Sequence, residues 1–469
     1  MDDFGKTIWA HYKVSTGDMA LAVNQNKLSK STLHGNELRF ILKTLVVIDT
    51  FWIGHIPTYH KIIVERLLYL GHRVISVSQK PEELQQWARI KGFNIENVKF
   101  RKISNESKDQ QISNALKEQR FFSKILKFTH KLPMKYFKQS VSWWMICRTS
   151  IENAVLETGW VPDLVFFPGI EPNIISKILT GALVDQIFPY KWFGLYLTPK
   201  YLRKPFLKFL HKRLFRKDRF FHSKNCISIA VLDEGIVNRL ESIFTSKKIL
   251  VMPDVSFTEV SGQVSLLDQQ LIEKARGRKI IGLVGEISKR KGIITLINVA
   301  NMAIEKNKDY YFAFIGPLNA LNNNKEDLLD LQKIIAKAPE NCFFHLERVP
   351  DERVFNDLIC RCDIIFAAYE KFYHSSNILT KAAFFQRPVV VSDGYCMSER
   401  TRKFDLGICV PEKNPSSCFQ AIESLLQGKD LSGRKLNPQY KSYSSLHSLE
   451  KFDSFLEKVI GSTALRVML

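Results

Sequence analysis

The chain has 469 residues, 45% of them hydrophobic, which favours more than one globular domain and excludes a chain that is disordered throughout. No apolar run approaches the roughly 18 residues that a membrane-spanning helix requires, and the polar start Met1-Asp2-Asp3 does not predict a secretory signal. The eight cysteines are scattered, which favours buried thiols in a reducing compartment over a disulfide framework.

The net charge of +21 is concentrated in two segments. Residues 120–148 contain seven Lys or Arg and no acid, and residues 200–224 contain ten Lys or Arg and one acid, so together they carry 16 of the 21 charges. Basic segments with interleaved aromatic residues fit an interfacial membrane surface. Nucleic acid is the rival partner, but no motif of a nucleic-acid-binding module accompanies them. A solvated face is the third interpretation.

The first half of the chain alternates between strand and helix patterns after a polar lead-in over residues 1–42. An apolar strand is predicted over Thr44–Asp49, a helix begins near Pro57, and a second strand follows over Val74–Val77. This order predicts a βαβ unit. Later elements of this half are a helix over 153–157 and strands over 162–168, 192–197 and 226–232.

Two loops of the first half are candidates for a ligand cleft, because ligands of open α/β sheets bind beyond the carboxyl ends of the strands. Gly54 and His55 follow the first strand, and Glu171 follows the strand over 162–168. The structural alternatives are that His55 caps the next helix or packs under Trp52, and that Glu171 caps a helix.

The second half begins with a predicted buried strand over Lys279–Gly285. The basic turn Lys289-Arg290-Lys291-Gly292 comes next, and a helix follows it. A further strand over Tyr311–Gly316 ends in a glycine at the same side of the predicted sheet. The alternative is that the basic turn is only a solvated loop.

The stretch over 362–394 predicts a strand, a loop, a helix and a second strand. The strand Ile364–Ala367 is apolar, and the cap-type residues Ser375, Ser376 and Asn377 precede a helical repeat that Pro388 ends. A helix that enters from a polar loop directs backbone N–H groups at that loop, which suits a phosphate. The alternative is a βαβ unit of the kind found in any α/β protein.

The order of an aspartate-led strand, a loop, a helix and Pro-Val-Val resembles the nucleotide-sugar site of retaining GT-B glycosyltransferases of the family 4 type. Lys291-Gly292 matches the Lys-Gly of that family, and residues 249–254 are similar to its hinge. The resemblance runs from about residue 44 to residue 460 and is strongest over 279–411.

The chain departs from the pattern of that family at three positions. Tyr373 and Lys381 stand where the family has its paired glutamates, and Glu286 stands where it has an arginine. The contact with the ribose and the identity of the sugar donor are therefore not implied by the resemblance.

The resemblance implies an α/β protein of the GT-B class, with two Rossmann-like domains that face a central cleft. It divides the chain into the lead-in over 1–42, an acceptor-side domain over 43–255 and a nucleotide-sugar domain over 256–440. The last segment, 441–469, would form a helix that crosses back to the first domain.

The function that the resemblance implies is transfer of a sugar from a nucleotide-sugar to an acceptor hydroxyl, with retention of configuration. The implied donor-binding residues are Gly285, Arg290, Lys291, Gly316, Ser375, Ser376 and Asn377. Gly54 and His55 would lie on the acceptor side, and the catalytic candidates are His55, Glu171 and Lys291. We expect no metal or other cofactor, because lysine and helix N–H groups would neutralise the leaving diphosphate.

The basic segments lead us to expect a peripheral protein at the cytoplasmic face of a membrane, with a glycan or a lipid-linked acceptor. The alternative function is a catalytically inactive GT-B scaffold that binds a glycan or a protein, which the residues Glu286, Tyr373 and Lys381 motivate. A GT-B sugar epimerase is a third option, and it would need cleft carboxylates such as Glu171 and Glu370. The sugar, the base, the acceptor and the oligomeric state are not predicted.

Overall fold

The computed structural model describes residues 42–52, 56–104, 134–170, 179–197, 199–203, 218–318 and 325–461. These residues form two parallel β-sheets with helices on both faces of each sheet. We call each sheet with its helices a lobe. No helix of the described part is long and apolar enough to cross a membrane.

The first lobe is built on a seven-stranded sheet with the order β3-β2-β1-β4-β5-β6-β7. Its strands are β1 (Thr44–Ile48), β2 (Arg73–Ser78), β3 (Val98–Lys102), β4 (Leu164–Ile170), β5 (Trp192–Tyr196), β6 (Cys226–Val231) and β7 (Lys248–Val251). Its helices are α1 (Ile56–Tyr69), α2 (Pro81–Ile90), α3 (Met134–Thr158), α4 (Gly181–Ile187) and α5 (Val237–Glu241).

The second lobe is built on a six-stranded sheet with the order β10-β9-β8-β11-β12-β13. Its strands are β8 (Lys279–Val284), β9 (Tyr310–Ile315), β10 (Cys342–His345), β11 (Ile364–Ala367), β12 (Val389–Ser392) and β13 (Gly407–Val410). Residues 252–265, which we call the linker, connect β7 to the next helix. The helices after the linker are α6 (Leu266–Ala275), α7 (Ile293–Glu305), α8 (Lys325–Ala336), α9 (Glu352–Arg361), α10 (Asn377–Phe384), α11 (Cys396–Lys403), α12 (Pro415–Leu426), α13 (Tyr440–Leu446) and α14 (Leu449–Gly461).

The strands are nearly continuous apolar runs because parallel sheets are covered on both faces. In β1, Val46 and Ile48 lie in one hydrophobic core, and Leu45 and Val47 lie in the core on the opposite face. Burying each of these side chains stabilises the fold by about 1.5–3 kcal/mol. Alternation along the strand therefore fixes the sheet between two layers of helices.

Each sheet has a point where the strand order reverses. In the first sheet it lies between β1 and β4, and in the second sheet it lies between β8 and β11. Ligands of open α/β sheets bind beyond the carboxyl ends of the strands at such a point. In the second lobe, the loops over 285–292 and 368–376 lie there.

The last helix, α14, packs against the first lobe although it follows the second in sequence. Phe452, Leu456 and Val459 are buried in the core that contains Leu45 and Val47. Arg66 of α1 donates to the Asp453 carboxylate from Nε at 2.7 Å. The described part of the chain therefore starts and ends on the same lobe.

The strands predicted at 44–49, 279–285 and 364–367 are confirmed by β1, β8 and β11. Helix α3 spans Met134–Thr158, so the helix predicted over 153–157 is only its final part. Strand β3 and helix α6 are not predicted, because the strand sequence VKFRK is mostly polar and the helix lies within the largely polar stretch over residues 263–279.

Candidate functional site

Two loops meet at the reversal point of the second sheet. The loop after β8 contains a 3-10 turn over Lys289–Lys291, which ends at Gly292 with a φ of 79°. The Glu370 N–H, in the loop after β11, donates to the Arg290 carbonyl at 2.8 Å. A Cβ on Gly292 would lie only 2.8 Å from the Ala368 carbonyl oxygen. The loops are therefore joined through their backbones, and Gly292 is required for their close approach.

The three consecutive cations of the basic turn have different surroundings. The Lys289 amine donates to Asp327 at 2.5 Å and contacts Asp330 at 3.4 Å, which directs it towards α8. Lys291 is only 9% exposed, and its amine lies 3.8 Å from the centroid of the Tyr369 ring. The Arg290 guanidinium lies 5.0 Å from the Phe372 ring centroid. Arg290 and Lys291 are thus held over aromatic faces, an attraction between a cation and a π-system.

The amine of Lys291 is poised to gain or lose charge near neutral pH. The pKa of Lys291 is lowered from 10.5 to about 7; burial is the largest cause, the nearby charge of Arg290 acts in the same direction, and Glu286 opposes the shift. An anion bound beside this amine would favour its charged form and raise the pKa again. The site is therefore suited to an anionic ligand that brings its own negative charge.

Gly285 and Gly316 lie at the ends of the neighbouring strands β8 and β9, with φ of 112° and 133°. A Cβ on Gly316 would lie 2.0 Å from the Gly285 carbonyl oxygen, so only glycine fits there. A Cβ on Gly285 would meet no atom within 4 Å. The backbone at Gly285 therefore borders open space, where a ligand can approach it closely.

The start of α10 meets the basic turn at Tyr369. Ser376 is the N-cap residue of α10, yet its hydroxyl makes no capping hydrogen bond. Instead it is hydrogen-bonded to the Tyr369 hydroxyl, whose pKa is raised by burial in spite of that bond. Lys291 lies over the face of the same ring. The expected donor-binding residues Arg290, Lys291, Ser376 and Asn377 are therefore brought to one place.

Ser375 lies beside this site but has its hydroxyl committed elsewhere. The hydroxyl donates to the Asp254 carboxylate and accepts a hydrogen bond from Arg400 Nη1 at 2.6 Å. The side chain is 9% exposed. Its role in donor binding stays a prediction, because Asp254 and Arg400 already engage its hydroxyl.

Lys381, at the position of a family glutamate, is 1% exposed and binds the linker between the lobes. Its amine donates to the Phe257 carbonyl at 2.9 Å, to Glu352 at 2.7 Å and to the Asn356 side-chain oxygen. Lys381 therefore fixes α10 to α9 and the linker, and these contacts do not involve the basic turn.

Tyr373, at the position of the other family glutamate, pairs with a second tyrosine. The rings of Tyr373 and Tyr395 lie 4.3 Å apart, and burial with the hydrogen bond between them raises the pKa of Tyr395 to about 12. A small cavity lies beside this pair and is lined by Ala367, Tyr369, Phe372, Ser392, Tyr395, Met397 and Ser398. The buried Ser392 Oγ has no hydrogen-bond partner, and neither has the Oγ of Ser288, the residue before the basic turn. Aromatic faces and spare hydroxyls thus border the basic turn.

The acceptor-side candidates Gly54, His55 and Glu171 lie outside the described residues. A buried acid, Asp49, lies close to Gly54 and His55 in sequence, directly after β1. Its Oδ1 accepts from the Phe51 N–H at 3.3 Å, and its Oδ2 has no partner. Burial raises the pKa of Asp49 well above 3.8. Sequence reasoning missed this acid, although its position at the end of an apolar strand was a signal.

One group in the described part has the spacing of metal ligands, and it consists of Asp233, Glu234 and Cys396. Arg203 donates to Asp233 from Nε at 2.7 Å, and Arg400 donates to Glu234 from Nη2 at 2.7 Å. The two guanidinium groups already neutralise both carboxylates, so this group does not fit a metal ion.

Comparisons with known proteins give a family match for the second lobe. Residues 278–428 match the family model described as glycosyl transferases group 1. A search among curated proteins gave no match.

Solved structures with similar folds cover nearly the whole chain. A trehalose 6-phosphate synthase from Burkholderia multivorans has a TM-score of 0.61 and 10% identity, over 91% of this chain and 100% of that one. An Anabaena protein, HepE, in complex with UDP-glucose has a TM-score of 0.58 and 10% identity, over 90% and 100%. A glycosyltransferase from Rickettsia africae has a TM-score of 0.57 and 13% identity, over 90% and 99%.

These identities are low enough that the structural similarity is evidence for the fold alone. Both sheets and their flanking helices match that fold, which confirms the expected GT-B class with two Rossmann-like domains. The chain therefore has the GT-B fold of glycosyltransferases and carries a glycosyl transferases group 1 domain over residues 278–428.

Proposed function

We propose that this protein transfers a sugar from a nucleotide-sugar donor to an acceptor hydroxyl, and that the donor diphosphate binds between the basic turn and the start of α10. The observation that carries the proposal is the position of Lys291 over Tyr369, at the reversal point of the sheet. The family match of residues 278–428 supports the class of reaction. The UDP-glucose bound to the similar Anabaena structure supports the class of donor.

The proposed chemistry follows from the charge that the leaving group acquires. The bond between the anomeric carbon of the sugar and the diphosphate oxygen breaks, and its electron pair stays on the diphosphate. The acceptor oxygen forms the new bond to that carbon and releases its proton. Lys291 and Arg290 stabilise the added negative charge. This electrostatic stabilisation is larger in a site lined by aromatic rings than in water.

The residues of the donor site have separate roles in this proposal. Lys291 holds the leaving phosphate, and Arg290 adds a second cation. Gly285 and Gly316 let the backbone approach the ligand, and the N–H groups at the start of α10, with Ser376 and Asn377, bind the remaining oxygens. No metal or other cofactor takes part in this scheme.

The acceptor side of the proposed reaction involves residues of the first half of the sequence. Gly54, His55 and Glu171 would orient the acceptor hydroxyl, with His55 or Glu171 receiving its proton. Retention of configuration is proposed on the resemblance to the family. Product analysis by NMR with a turnover substrate would show an inverted anomeric centre if retention is wrong.

Binding and transfer assays test the proposal directly. We expect calorimetry with a panel of nucleotide-sugars to find at least one that binds, and Lys291→Ala to abolish the transfer of its sugar. Lys289→Ala is the matched control, because its amine is bound to Asp327 and Asp330. Absence of binding across the panel would contradict the proposal.

We extend the proposal to an acceptor held at a membrane, with this protein peripheral at the cytoplasmic face. The basic segments 120–148 and 200–224, described only in part, support it through their charge. A structure of similar fold, WaaG, is a glycosyltransferase involved in lipopolysaccharide biosynthesis. Co-sedimentation with vesicles should require anionic lipid and weaken with salt. Equal binding to neutral vesicles would contradict charge-driven docking.

A catalytically inactive scaffold is the second candidate function. The engagement of Ser375 by Asp254 and Arg400 favours it, together with the replacement of both family glutamates. Under this alternative, a glycan or protein binds and no nucleotide-sugar is turned over. Nucleotide binding with Lys291-dependent turnover would exclude it.

A further inference from the structure

Helix α11 carries two successive charged residues that contact the first lobe. The Glu399 carboxylate accepts from the two terminal nitrogens of Arg203 at 2.6 and 2.7 Å. Arg400 donates to Glu234 from Nη2 at 2.7 Å and to the Leu232 carbonyl at 2.5 Å. The second lobe thus contributes an acid to one pair and a base to the other. Such complementary pairs specify one register between two surfaces, because a shift would bring like charges together.

Arg203 is fixed on the first lobe independently of this contact. Its Nε donates to Asp233 at 2.7 Å, and the Asp233 carboxylate also accepts from the Gly235 N–H at 3.0 Å. A Cβ on Gly235 would lie 2.4 Å from an Arg203 nitrogen, so the guanidinium packs directly on the backbone. The first lobe therefore presents a preformed cation to Glu399.

Asp254, where the chain passes from one lobe to the other, is fully buried and joins several parts of the molecule. The Tyr59 hydroxyl of the first lobe donates to its Oδ1 at 2.5 Å, and the Ser375 hydroxyl of the second lobe donates to its Oδ2. Its backbone N–H donates to His447 Nδ1 at 3.0 Å. Arg400 lies 3.9 Å from the carboxylate.

These contacts lead to the proposed donor site through Ser375. Arg400 donates to the Ser375 hydroxyl at 2.6 Å, and that hydroxyl donates to Asp254, so the residue is held from two sides. The next residue, Ser376, is the N-cap of α10 and is bonded to Tyr369, over whose ring Lys291 lies. The path from the contact between the lobes to the basic turn is therefore continuous.

We infer that Arg400 is a positioning residue for the donor site, and that the pairs of Arg203 with Glu399 and of Arg400 with Glu234 hold the lobes in the arrangement that binds the donor. The inference rests on the proposed function for its donor-binding half. Its other half, the separation of the lobes, is a property of the protein without any ligand. Arg400 acts through Ser375 and Asp254 and is not assigned a contact with the donor.

Charge reversal at Glu399 tests the contact between the lobes. Glu399 is half-exposed, so Glu399→Lys leaves the core of α11 intact while it opposes Arg203 with a like charge. We expect a larger distance between spin labels at the exposed Leu156 and Leu266 in the full chain without ligand. The effect should become smaller when Arg203→Met is added, because the repulsion is removed while the attractive pair is still missing. An unchanged distance in Glu399→Lys would overturn the inference.

A matched control variant distinguishes the effect of this contact from the effect of the change in net charge. Glu273→Lys makes the same change of charge on the exposed face of α6 and should leave the distance between the labels unchanged. The affinity for UDP-glucose should fall at least about fivefold in Glu399→Lys, the lower end of typical coupling between sites, and not in Glu273→Lys. Wider separation with unchanged affinity would overturn the donor-positioning half of the inference.

A conservative variant tests the positioning role of Arg400. Arg400→Lys keeps a cation beside Glu234. A lysine amine lacks the planar fork with which Arg400 donates to Ser375 and to Glu234 at the same time. We expect the label distance to stay near that of the wild type while UDP-glucose binds more weakly, and Ser375→Ala to remove any further effect of Arg400→Lys. Additive losses from the two changes would overturn the positioning role. If the wild type binds no nucleotide-sugar, the proposed function fails, and the label distances still decide the contact between the lobes.

Discussion

The two lobes share one topology but place opposite chemistry where their strand orders reverse. The first lobe has the buried acid Asp49 after β1, whose pKa is raised by burial. The second lobe has the buried base Lys291 after β8, whose pKa is lowered by burial to about 7. Both environments favour the neutral form of the side chain, and the charge of a further cation, Arg290, acts on Lys291 in the second lobe.

This contrast indicates what each lobe can bind. An anion would remain uncompensated beside Asp49, whereas beside Lys291 it restores the charge that burial disfavours. The second lobe is therefore the one that we propose for the diphosphate. Different side chains at equivalent strand ends thus give the two lobes different chemistry.

The largest effect is expected from removal of the Lys291 amine. Lys291→Ala should lower kcat/KM for sugar transfer by roughly 100-fold or more, the usual result of removing a fixed group that stabilises developing charge. Lys289→Ala, two residues away, should change it less than about twofold because the Lys289 amine is bound to α8 and is not part of the site. Equal losses in the two variants would remove the distinction between the lysines.

The next largest effect is expected from a change in the backbone of the proposed donor site. Gly316→Ala should lower the free energy of unfolding by about 3 kcal/mol or more, because strain at φ of 133° adds to a clash with the Gly285 carbonyl. Gly428→Ala is the control, since its φ is 70° but a Cβ there meets no atom within 4 Å. The control should lose only about 1 kcal/mol in urea denaturation. A loss at Gly316 no larger than that would contradict the close approach of the strands.

Removal of the Lys381 amine should affect stability and leave the site unchanged. Lys381→Met leaves the Phe257 carbonyl and the Asn356 side chain without their partner, and should destabilise by about 1–3 kcal/mol. Glu352→Gln should cost less, because the Glu352 side chain is 43% exposed. Affinity for UDP-glucose should stay within about twofold in both variants if the buried amine is only structural. A large loss of affinity in Lys381→Met would place this lysine in the donor site.

The smallest effect is expected in the first lobe. Since the pKa of Asp49 is raised in the folded state, folding retains a proton there, and this acid reduces stability increasingly as the pH rises above the pKa of the unfolded chain. Asp49→Asn should therefore gain stability relative to the wild type at pH 7 and gain less at pH 4. Thermal unfolding at the two pH values measures this difference, and a larger gain at pH 4 would contradict the raised pKa.

Much of the fold is predictable from the sequence because its strands are short and nearly continuous apolar runs. This holds for β1, β8 and β11. Strand β3 could not be recognised, since its sequence VKFRK has little apolar character. Helix α6 starts with a Ser265–Asp268 capping box, a local signal that was present but lay in a polar stretch.

The candidate site was predictable only for those residues whose position depends on their neighbours in the chain. The basic turn and the cap residues before α10 can be identified from their neighbours in the chain. The partners of Ser375 could not be predicted, because Asp254 lies 121 residues before it and Arg400 lies 25 residues after it. Nor does the sequence indicate which of three successive cations is buried, since Lys289 and Lys291 differ only in the surfaces they face.

The most direct measurement is calorimetric titration of UDP-glucose at pH 6.0 and 8.0 into the wild type and Lys291→Ala, in buffers of different ionisation enthalpy. If the amine with a pKa of about 7 meets the diphosphate, binding takes up a proton and weakens by up to about tenfold per pH unit above 7. The variant should bind weakly and show neither the proton uptake nor the dependence on pH. Binding by the wild type that is independent of pH and equal to that of Lys291→Ala would contradict the account.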